Sequence, residues 1–487
     1  MTFLRKRNKM VAVVVALAIL AACTKKWDDH NQVTDTNLKN NLYAVISQTS
    51  GLSKFSDMLV KTGYDKIISS SKTYTVWAPT DQALQSLSAA ILNDTAQLKL
   101  FVANHISNQS YLEGAATGAM RIQMLNGKYN NLTGTTFDSA NIVTANQYAA
   151  NGVFHIIDKF IPRYDNCWEL LKNTSAVPLM KAFLLSQNYT FFDSTKATQI
   201  GADPATGRPI WDSTNAKITR NYFLDKAADV SDEAGQYTLV LMTDNAYTTE
   251  TNKLAPWFKT STTDSTSNLC QAYLVKDLAF KGLYTPAQLP DSLLSSYGVK
   301  TPMIKSAIVA SYKTSNGIVY IMNQVDYTKE NKFPPIYIQG ENPSGFMAAR
   351  TANTFYRIRY NPVTGKNFND ILMTNYNAAN YFIYYIQKGM SSMRYNASWV
   401  AVNDIQLTPL WQQRLGGGYK KSDTLFLNTP FAAQSISYGI YWEVYQGQFN
   451  FANYGDQYFF VYGPTTASTA GNVNAITMDY LKLQPAF

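Results

Sequence analysis

The fold of this chain is decided by the segment Tyr74-Thr-Val-Trp-Ala-Pro-Thr-Asp-Gln-Ala83, because a related segment, Tyr237-Thr-Leu-Val-Leu-Met-Thr-Asp-Asn-Ala246, lies 163 residues further on. A second related pair, Asn151-Gly-Val-Phe-His-Ile-Ile-Asp-Lys159 and Asn316-Gly-Ile-Val-Tyr-Ile-Met-Asn-Gln324, begins 77 residues after the first segment in one copy and 79 in the other. Two motifs with matching internal distances indicate a duplicated domain. Neither copy contains a catalytic constellation, so the duplication favours a binding or adhesion protein.

The motif residues are typical of turns and helix caps. Tyr74–Trp77 is rich in β-forming residues and predicts a strand. Thr80 or Asp81 then caps a helix predicted over Gln82–Leu92 by accepting free backbone N–H groups. The dipeptide Asn151-Gly152 predicts a turn into a second strand. The second copy keeps these features at the positions Thr243, Asp244, Asn316 and Gly317.

The first copy resembles the fasciclin domain family. Its Thr-Val-Trp-Ala-Pro-Thr-Asp-Gln-Ala and Asn-Gly-Val-Phe-His-Ile-Ile-Asp-Lys-Phe-Ile-Pro segments are similar to the two signatures of that family, and Phe101-Val-Ala-Asn-His105 stands where the family has a central histidine. The resemblance implies an α+β domain in which these motifs mainly hold the fold. His105 and His155 could also be catalytic or ligand-binding groups, but histidines amid apolar residues usually bond a polar neighbour in the core.

The second copy is more divergent. Tyr320 stands in place of His155, and helices that open at Leu42 and Trp168 are 126 residues apart, whereas the strands are 163 apart. An insertion therefore separates them, and we place it within residues 188–235 as a surface excursion. The predicted architecture is two α+β fasciclin-like domains, residues 41–164 and 165–330, followed by an all-β sandwich over 331–487.

The last third has almost no helical periodicity and predicts many short strands, which is typical of a β-sandwich. Its closing segment, Ile476–Pro485, resembles the last strand of the jelly rolls found in carbohydrate-binding modules. Aromatic side chains of such a domain either stack on sugar rings or fill the core. The candidates for ligand binding are Trp399, Trp411 and Trp442. The predicted strands are Thr354–Tyr360, Tyr381–Gln387, Trp399–Leu407, Asp423–Leu427, Ser437–Tyr445 and Asp456–Tyr462.

The first residues predict export and lipidation. Four basic residues precede the apolar run Met10–Ala22, which is too short to span a bilayer. The following Leu20-Ala-Ala-Cys23 resembles the bacterial lipoprotein box, which implies a signal peptide over 1–22, lipidation of Cys23 and a tether over 23–40. The segment Thr24–Asp29 resembles the surface-export signal of Bacteroidetes lipoproteins. This implies a lipid-anchored outer-membrane protein at the cell surface, with a periplasmic orientation left open.

Charge and cysteine content exclude several classes of protein. Without the four basic residues of the signal, 38 of the 42 Lys and Arg face 33 Asp and Glu, and no basic block indicates nucleic-acid binding. Cys167 and Cys270 favour buried free thiols, with a disulfide left open. No Cys/His cluster predicts a metal, and no motif predicts a cofactor.

Three non-catalytic functions fit this inventory. A Gly-x-Ser-x-Gly motif is absent, and no carboxylate pair carries a glycosidase pattern. The first hypothesis is a cell-envelope lipoprotein for adhesion or for binding extracellular glycan or matrix. The alternatives are an accessory subunit of an outer-membrane glycan-uptake complex, docked to a transporter, and a purely structural envelope protein.

Overall fold

The computed structural model describes residues 36–114, 118–212, 214, 216–348, 353–374, 381–404, 412–418, 431, 434–463 and 475–487. These residues form two compact units, which divide between Asn166 and Cys167. The predicted signal peptide, the predicted lipidation site Cys23 and Trp411 lie outside the described residues. No helix within the described ranges has the length and apolar character needed to cross a membrane.

The first unit packs short helices on one sheet. Its helices are α1 (Leu42–Gln48), α2 (Ser53–Thr62), α3 (Tyr64–Ile68), α4 (Ala89–Asn93) and α5 (Thr95–Ala103). Its strands are β1 (Tyr74–Pro79), β2 (Ile106–Ser107), β3 (Met120–Gln123), β4 (Tyr129–Thr133), β5 (Thr136–Phe137), β6 (Ala140–Ala149) and β7 (Gly152–Ile157). The strand order is β2-β1-β7-β6-β5-β4-β3, and the two motif strands β1 and β7 pair in parallel at its centre.

The helix predicted over Gln82–Leu92 is wrong. The structure has a 3-10 helix over Ala83–Ser86 and the separate α4, and the backbone between them is extended at Leu87. Leu84 and Leu87 are both buried in the core of the first unit. The extended backbone at Leu87 ends the 3-10 helix and separates it from α4.

The second unit begins with a region built on a smaller sheet. Its helices are α6 (Cys167–Asn173), α7 (Pro178–Ser186), α8 (Tyr222–Lys226), α9 (Asp244–Leu254), α10 (Thr263–Val275) and α11 (Lys329–Lys332). Its strands are β8 (Asn188–Phe192), β9 (Thr198–Ala202), β10 (Pro209–Asp212), β11 (Lys217–Asn221), β12 (Tyr237–Met242), β13 (Ala279–Lys281), β14 (Ser292–Leu294), β15 (Lys300–Pro302), β16 (Ile308–Thr314) and β17 (Gly317–Met322). The main sheet has the order β13-β12-β17-β16, and β12 and β17 pair in parallel.

The predicted insertion contains two mostly exposed hairpins. Strands β8 and β11 pair with each other, and β9 and β10 pair between them. The offset between the two copies is 125 residues at the helices that open them, Leu42 and Cys167, and 158 at Tyr64 and Tyr222. The extra residues therefore lie mainly between α7 and α8.

The rest of the second unit is a β-sandwich. Its strands are β18 (Ile336–Gln339), β19 (Gly345–Phe346), β20 (Thr354–Asn361), β21 (Lys366–Met373), β22 (Phe382–Met390), β23 (Arg394–Val400), β24 (Gln412–Gly418), β25 (Gln434–Ser435), β26 (Val444–Asn450), β27 (Gly455–Tyr462), β28 (Ile476–Met478) and β29 (Tyr480–Ala486). They form sheets of the order β18-β29-β23-β26, β19-β22-β27-β24-β25 and β20-β21-β28. Phe449 of the first sheet packs edge-to-face on Phe459 of the second, which closes the sandwich core.

Several predicted strands of this region need correction. The prediction of a strand over Ser437–Tyr445 is wrong, because the strand there begins at Val444. The strand predicted from Trp399 is instead Arg394–Val400, and Asp423–Leu427 lies outside the described residues. Strand β21 was missed because its first half faces solvent with polar residues, which conceals the alternation.

The sandwich and the preceding region share one core. Hydrogen bonds cross the predicted domain boundary at 330/331. Ser392 N–H donates to the Trp257 carbonyl at 2.8 Å, and Tyr454 N–H donates to the Lys259 carbonyl at 2.7 Å. Residues 167–487 therefore behave as one packed body.

Candidate functional site

The Thr-Asp motif of the first unit joins two helices. The Thr80 hydroxyl oxygen accepts from Ala83 N–H at 3.2 Å and so caps the 3-10 helix. The Asp81 carboxylate instead accepts from the backbone of Ser53 at 3.3 Å and of Lys54 at 2.8 Å, at the start of α2. The predicted capping chemistry is present, but Asp81 caps a helix 28 residues earlier in the chain rather than the one that follows it.

Asn151 and Gly152 fix the parallel strand pair. The Asn151 side chain accepts from Leu42 N–H at 2.8 Å and donates to the carbonyls of Ile68 and Ser70. A Cβ atom on Gly152 would lie 2.0 Å from the Tyr74 carbonyl oxygen. Only glycine permits this approach, and the asparagine satisfies three backbone groups that would otherwise be unpaired.

Both histidines of the first unit are core residues. His105 is fully buried, its Nδ1 lies 2.9 Å from the Phe101 carbonyl, and its Nε2 accepts from Ile161 N–H at 3.0 Å. Burial lowers the pKa of His105 to about 4, so the ring is neutral at pH 7. His155 is also buried, with Nε2 3.0 Å from the Tyr111 carbonyl, and burial lowers its pKa. Each ring has both nitrogens engaged and neither faces an open site.

The second copy makes the same bonds. The Asn316 side chain accepts from Cys167 N–H at 2.9 Å and donates to the carbonyls of Val230 and Asp232. A Cβ on Gly317 would lie 2.0 Å from the Tyr237 carbonyl oxygen. The arrangement around Asn151 and Gly152 is thus reproduced at Asn316 and Gly317.

Two further positions keep their role with a change. The Asp244 carboxylate accepts from Leu179 N–H at 3.0 Å at the start of α7, as Asp81 does for α2. Tyr320 donates its hydroxyl to the Tyr284 carbonyl at 2.7 Å and so replaces His155 as the donor. Thr243 makes no side-chain capping bond to α9, so its predicted capping role is wrong. The contacts that the two copies share hold backbone segments together.

The two cysteines of the second unit are free and buried. Burial raises the pKa of Cys167 to about 12 and that of Cys270 to about 11. Cys167 Sγ lies 3.3 Å from the Thr314 hydroxyl oxygen. Because a thiolate is the reactive form, these thiols are structural rather than nucleophilic.

The three candidate tryptophans differ in their positions. Trp399 is 1% exposed and faces the sandwich core, so its predicted ligand-binding role is wrong. Trp442 is 55% exposed, and Trp411 lies outside the described residues. Of the three candidates, Trp442 is therefore the one whose side chain is described and exposed.

The outward face of the sheet β18-β29-β23-β26 carries a row of polar and aromatic side chains. Directly paired residues place Tyr337, Lys482, Ser398 and Tyr445 side by side across the four strands. Tyr337 and Tyr445 at the two ends are about half exposed. Trp399 and Leu481, which precede or follow members of this row, point the other way into the core, as the alternation of a strand requires.

Glu443 organises the polar centre of this face. Its carboxylate accepts from Lys482 Nζ at 3.0 Å and from the Tyr480 hydroxyl at 3.1 Å. The hydrogen bond to Glu443 raises the pKa of Lys482, and burial followed by the charge of Glu443 raises the pKa of Tyr480. Tyr480 packs edge-to-face on Tyr337, with ring centroids 5.5 Å apart. We call Tyr337, Glu443, Tyr445, Tyr480 and Lys482, together with the exposed Trp442 that precedes Glu443 in the chain, the outward aromatic face.

An amide pair extends this surface along the strands. Gln448 donates to Asn396 at 3.0 Å, and Gln484 is paired opposite Asn396 on β29. Of the residues on this surface, only Trp442 was a named candidate from the sequence. The available signal was the alternation of Tyr480, Lys482 and Gln484 in the closing strand, which marks the solvent side once the core side is known.

Comparison with known proteins addresses the first unit directly. The model of the fasciclin domain family matches residues 50–162. That segment is a fasciclin domain. A search of curated proteins found no match. The match includes Asp81, Asn151 and both histidines, so the contacts described for them are those of the fasciclin domain of this chain.

Three solved structures are similar to parts of this chain. A fasciclin domain pair from the insect adhesion molecule fasciclin I is 14% identical, covers 58% of this chain and 99% of its own, and has a TM-score of 0.23. A family 35 carbohydrate-binding module from Clostridium thermocellum is 16% identical over 32% of this chain and 100% of its own, with a TM-score of 0.22. A CBM36-1 domain of a xylanase from the hindgut metagenome of Trinervitermes trinervoides is 17% identical over 31% and 98%, with a TM-score of 0.20.

Proposed function

We propose that this protein is a non-catalytic lipoprotein of the bacterial cell envelope that binds extracellular glycan through its outward aromatic face. The fasciclin domain and the related region that follows it serve as scaffold and spacer. The observation that carries the proposal is the row across the sheet in which exposed Tyr337 and Tyr445 lie on either side of Lys482, which is hydrogen-bonded to Glu443.

The chemistry of this face suits a sugar ring. A pyranose presents C–H groups on its faces and hydroxyl groups around its rim. Flat aromatic rings that are half exposed bury the C–H face at small entropic cost. Charged hydrogen-bonding groups beside them, here Glu443 as acceptor and Lys482 as donor, bind hydroxyls more strongly than neutral groups do. Neutral sugars of a cell-wall polysaccharide are the ligand class that uses both.

The geometry favours binding over hydrolysis. The Glu443 carboxylate is held by Lys482 and Tyr480, so it acts as a hydrogen-bond acceptor rather than as a proton donor. Glycoside hydrolysis needs two opposed carboxyl groups, one of which protonates the leaving oxygen. We therefore expect the full chain to retain polysaccharide without releasing reducing ends.

The mature full-length chain should bind insoluble xylan, mannan or β-glucan in a retention assay. Trp442→Ala should lower the affinity at least tenfold, because about 2 kcal/mol is a common loss when an aromatic anchor of a binding site is removed. Tyr312→Ala is the control, since Tyr312 is also an exposed aromatic residue but lies on β16, which belongs to a different sheet. Equal binding by Trp442→Ala and the parent protein would contradict the proposal.

The envelope location rests on the N-terminal sequence. Lipidation at Cys23, attachment to the outer membrane and display at the surface are proposals supported by the resemblance of Leu20-Ala-Ala-Cys23 to the lipoprotein box. A clickable palmitate analogue should label the parent protein and not Cys23→Ala. Protease added to intact cells should digest the anchored protein, and resistance until the outer membrane is opened would show that it faces the periplasm.

An accessory role in glycan uptake is the second candidate. The observation that favours it is an exposed apolar row on β20, made of Tyr356, Ile358 and Tyr360, of which Ile358 is 78% exposed. Apolar rows of this kind mark protein contacts more often than sugar sites. A photo-crosslinking residue at position 358 should capture an outer-membrane transporter in native cells, whereas one at the exposed Val309 should not. Without either crosslink or sugar binding, a purely structural envelope role would stand.

A further inference from the structure

The second unit contains a cavity that shares no residue with the outward aromatic face. It has a volume of about 230 Å³ and opens between α7, α8, α10 and the turn that contains Tyr297. Its walls are mainly apolar and aromatic, with Phe183, Tyr222, Phe223 and Tyr273 among them. The volume exceeds the roughly 150 Å³ of an engineered cavity that holds benzene, so one six-membered ring with a substituent fits.

One cation is held inside this cavity. Lys276 Nζ lies 4.2 Å from the centroid of the Tyr273 ring and 4.2 Å from that of the Tyr297 ring. Both rings are fixed in place, because Tyr297 donates to the Lys226 carbonyl at 2.8 Å and the Tyr273 hydroxyl lies 3.1 Å from that of Tyr454. The ammonium is therefore positioned in advance rather than free to leave for bulk water.

The charge of Lys276 is not neutralised by a carboxylate. Within the described ranges no acidic side chain forms an ion pair with it, and the adjacent Asp277 is bound by Lys332 at 2.6 Å. Burial lowers the pKa of Lys276 to about 8 against the opposing effect of Asp277, so the group is still mainly protonated at pH 7. A partly desolvated cation of this kind attracts an anion more strongly than a lysine in water does.

The fold itself does not require this lysine. The Trp77 N–H donates to the His105 carbonyl in the fasciclin domain, and the Val240 N–H donates to the Leu278 carbonyl in the related region. This correspondence places Lys276 opposite Ala103, which is buried, and Tyr273 opposite Leu100. At the corresponding positions the fasciclin domain therefore has a small and an aliphatic side chain.

We propose that this cavity binds a small ring compound that carries one carboxylate. The ring occupies the apolar walls beside Phe183 and Phe223, and the carboxylate accepts a charge-assisted hydrogen bond from Lys276 Nζ. Acidic monosaccharides such as uronic acids and single-ring aromatic acids share this chemistry. The site is independent of glycan binding at Trp442.

Matched ligand pairs test the proposal with the mature full-length chain. Calorimetric titration should show binding of galacturonate or benzoate, and the neutral partners galactose and benzyl alcohol should bind at least tenfold more weakly. Binding of galacturonate alone identifies an acidic sugar as the ligand class, and binding of benzoate alone identifies an aromatic acid. The proposal is overturned if neither acid binds, or if each acid binds no better than its neutral partner.

A pair of lysine variants locates the site. Lys276→Met keeps the length of the side chain without its charge and should weaken binding of the acid at least tenfold. Lys281→Met removes an exposed lysine that does not line the cavity and should change affinity less than threefold. Unchanged affinity in a folded Lys276→Met protein would overturn the proposed role of Lys276, because the ammonium would then only pack against the two tyrosine rings. If that variant does not fold, the ligand pairs still decide the outcome with the parent protein.

Discussion

The fasciclin domain and the region that follows it make the same hydrogen bonds with partly different residues. Asn151 and Asn316 each tie the start of a helix to a loop, and a glycine after each permits close packing of the parallel strand. His155 is replaced by Tyr320, yet both donate to a carbonyl at the corresponding place. The fold therefore needs a hydrogen-bond donor for this backbone carbonyl, and either an imidazole or a phenol can supply it.

The two regions differ in how they bury charge. The fasciclin domain has neutral Asn104 and His105 where the related region has Asp277 and Leu278. Asp277 is buried with Lys332, which in turn donates to the Tyr273 carbonyl at 2.6 Å. Acid should therefore act on the fasciclin domain through histidine, and the second unit contains no histidine.

The glycines should give the largest effect. Gly152→Ala and Gly317→Ala each force a Cβ against a backbone carbonyl, and each should lower the free energy of unfolding by at least about 3 kcal/mol. Calorimetry should assign the loss to the unit that carries the substitution. Gly118→Ala and Gly201→Ala are controls with open space around the new Cβ, and they should change little. If Gly317→Ala left the free energy of unfolding unchanged, the two glycines would not have the same structural role.

Low pH should lower the stability of the first unit through His105, and the second unit has no histidine to respond in this way. The folded-state pKa of His105 is about 4, below its unfolded value, so the unfolded chain binds the proton first as pH falls from about 6.5. The fasciclin domain should lose roughly 3 kcal/mol of stability between pH 6.5 and 4. Hydrogen-exchange mass spectrometry resolves the two units, and His105→Gln should flatten the dependence in the first.

The sandwich should respond in the opposite direction. Burial raises the pKa of Asp479 to about 7, above its unfolded value, so the folded state keeps a proton that the unfolded chain releases. Its contribution to stability is present at low pH and is lost as pH rises toward 7. The same exchange measurement should show slower opening around Asp479 at pH 5 than at pH 7, and Asp479→Asn should remove the difference.

The asparagines should give an intermediate effect. Asn151→Ala and Asn316→Ala each leave three backbone groups without their partner, and each should cost about 2 kcal/mol. Denaturant unfolding of the full chain measures the loss in each unit. Asn141→Ala, which removes a bond between exposed side chains, is the control. Losses that differ several-fold between the two sites would show that one of them has acquired another role.

Removal of the Tyr320 hydroxyl group should have the smallest effect on stability. Tyr320→Phe removes the hydrogen bond to the Tyr284 carbonyl and keeps the ring, so it should cost about 1 kcal/mol. Tyr312→Phe, on an exposed strand of the same sheet, should have no measurable effect in the same denaturant titration. A neutral Tyr320→Phe would mean that Tyr320 only fills space and does not replace His155.

The sequence predicts the central strands and their turns because those features are local. Tyr74–Trp77 and Asn151-Gly152 contain their own β-forming and turn signals, and the structure has β1 and β7 there. Asp81 was assigned to the wrong helix because its partner, Ser53, is 28 residues away and local capping rules cannot reach it. Leu87 broke a predicted helix because tertiary burial overrode the local pattern.

The candidate site was only partly predictable for a related reason. The alternation of a strand defines two faces but does not say which one meets the core. The sequence therefore does not distinguish the buried Trp399 from the exposed Trp442, whereas the packing of the sheets does. Glu443 has no motif around it and becomes informative through Lys482, which lies 39 residues away. The Lys276 cavity combines three helices and a turn and leaves no sequence pattern at all.

The central claim is that the shared motifs are scaffold and that glycan binds on the sandwich. The direct measurement is one calorimetric titration of a polysaccharide-derived oligosaccharide into the parent full-length chain, Trp442→Ala/Tyr445→Ala and His155→Gln. We predict that the double variant loses binding at least tenfold while folding normally, and that His155→Gln binds as the parent does at pH 7. Loss of binding in His155→Gln with full binding in the double variant would contradict the account.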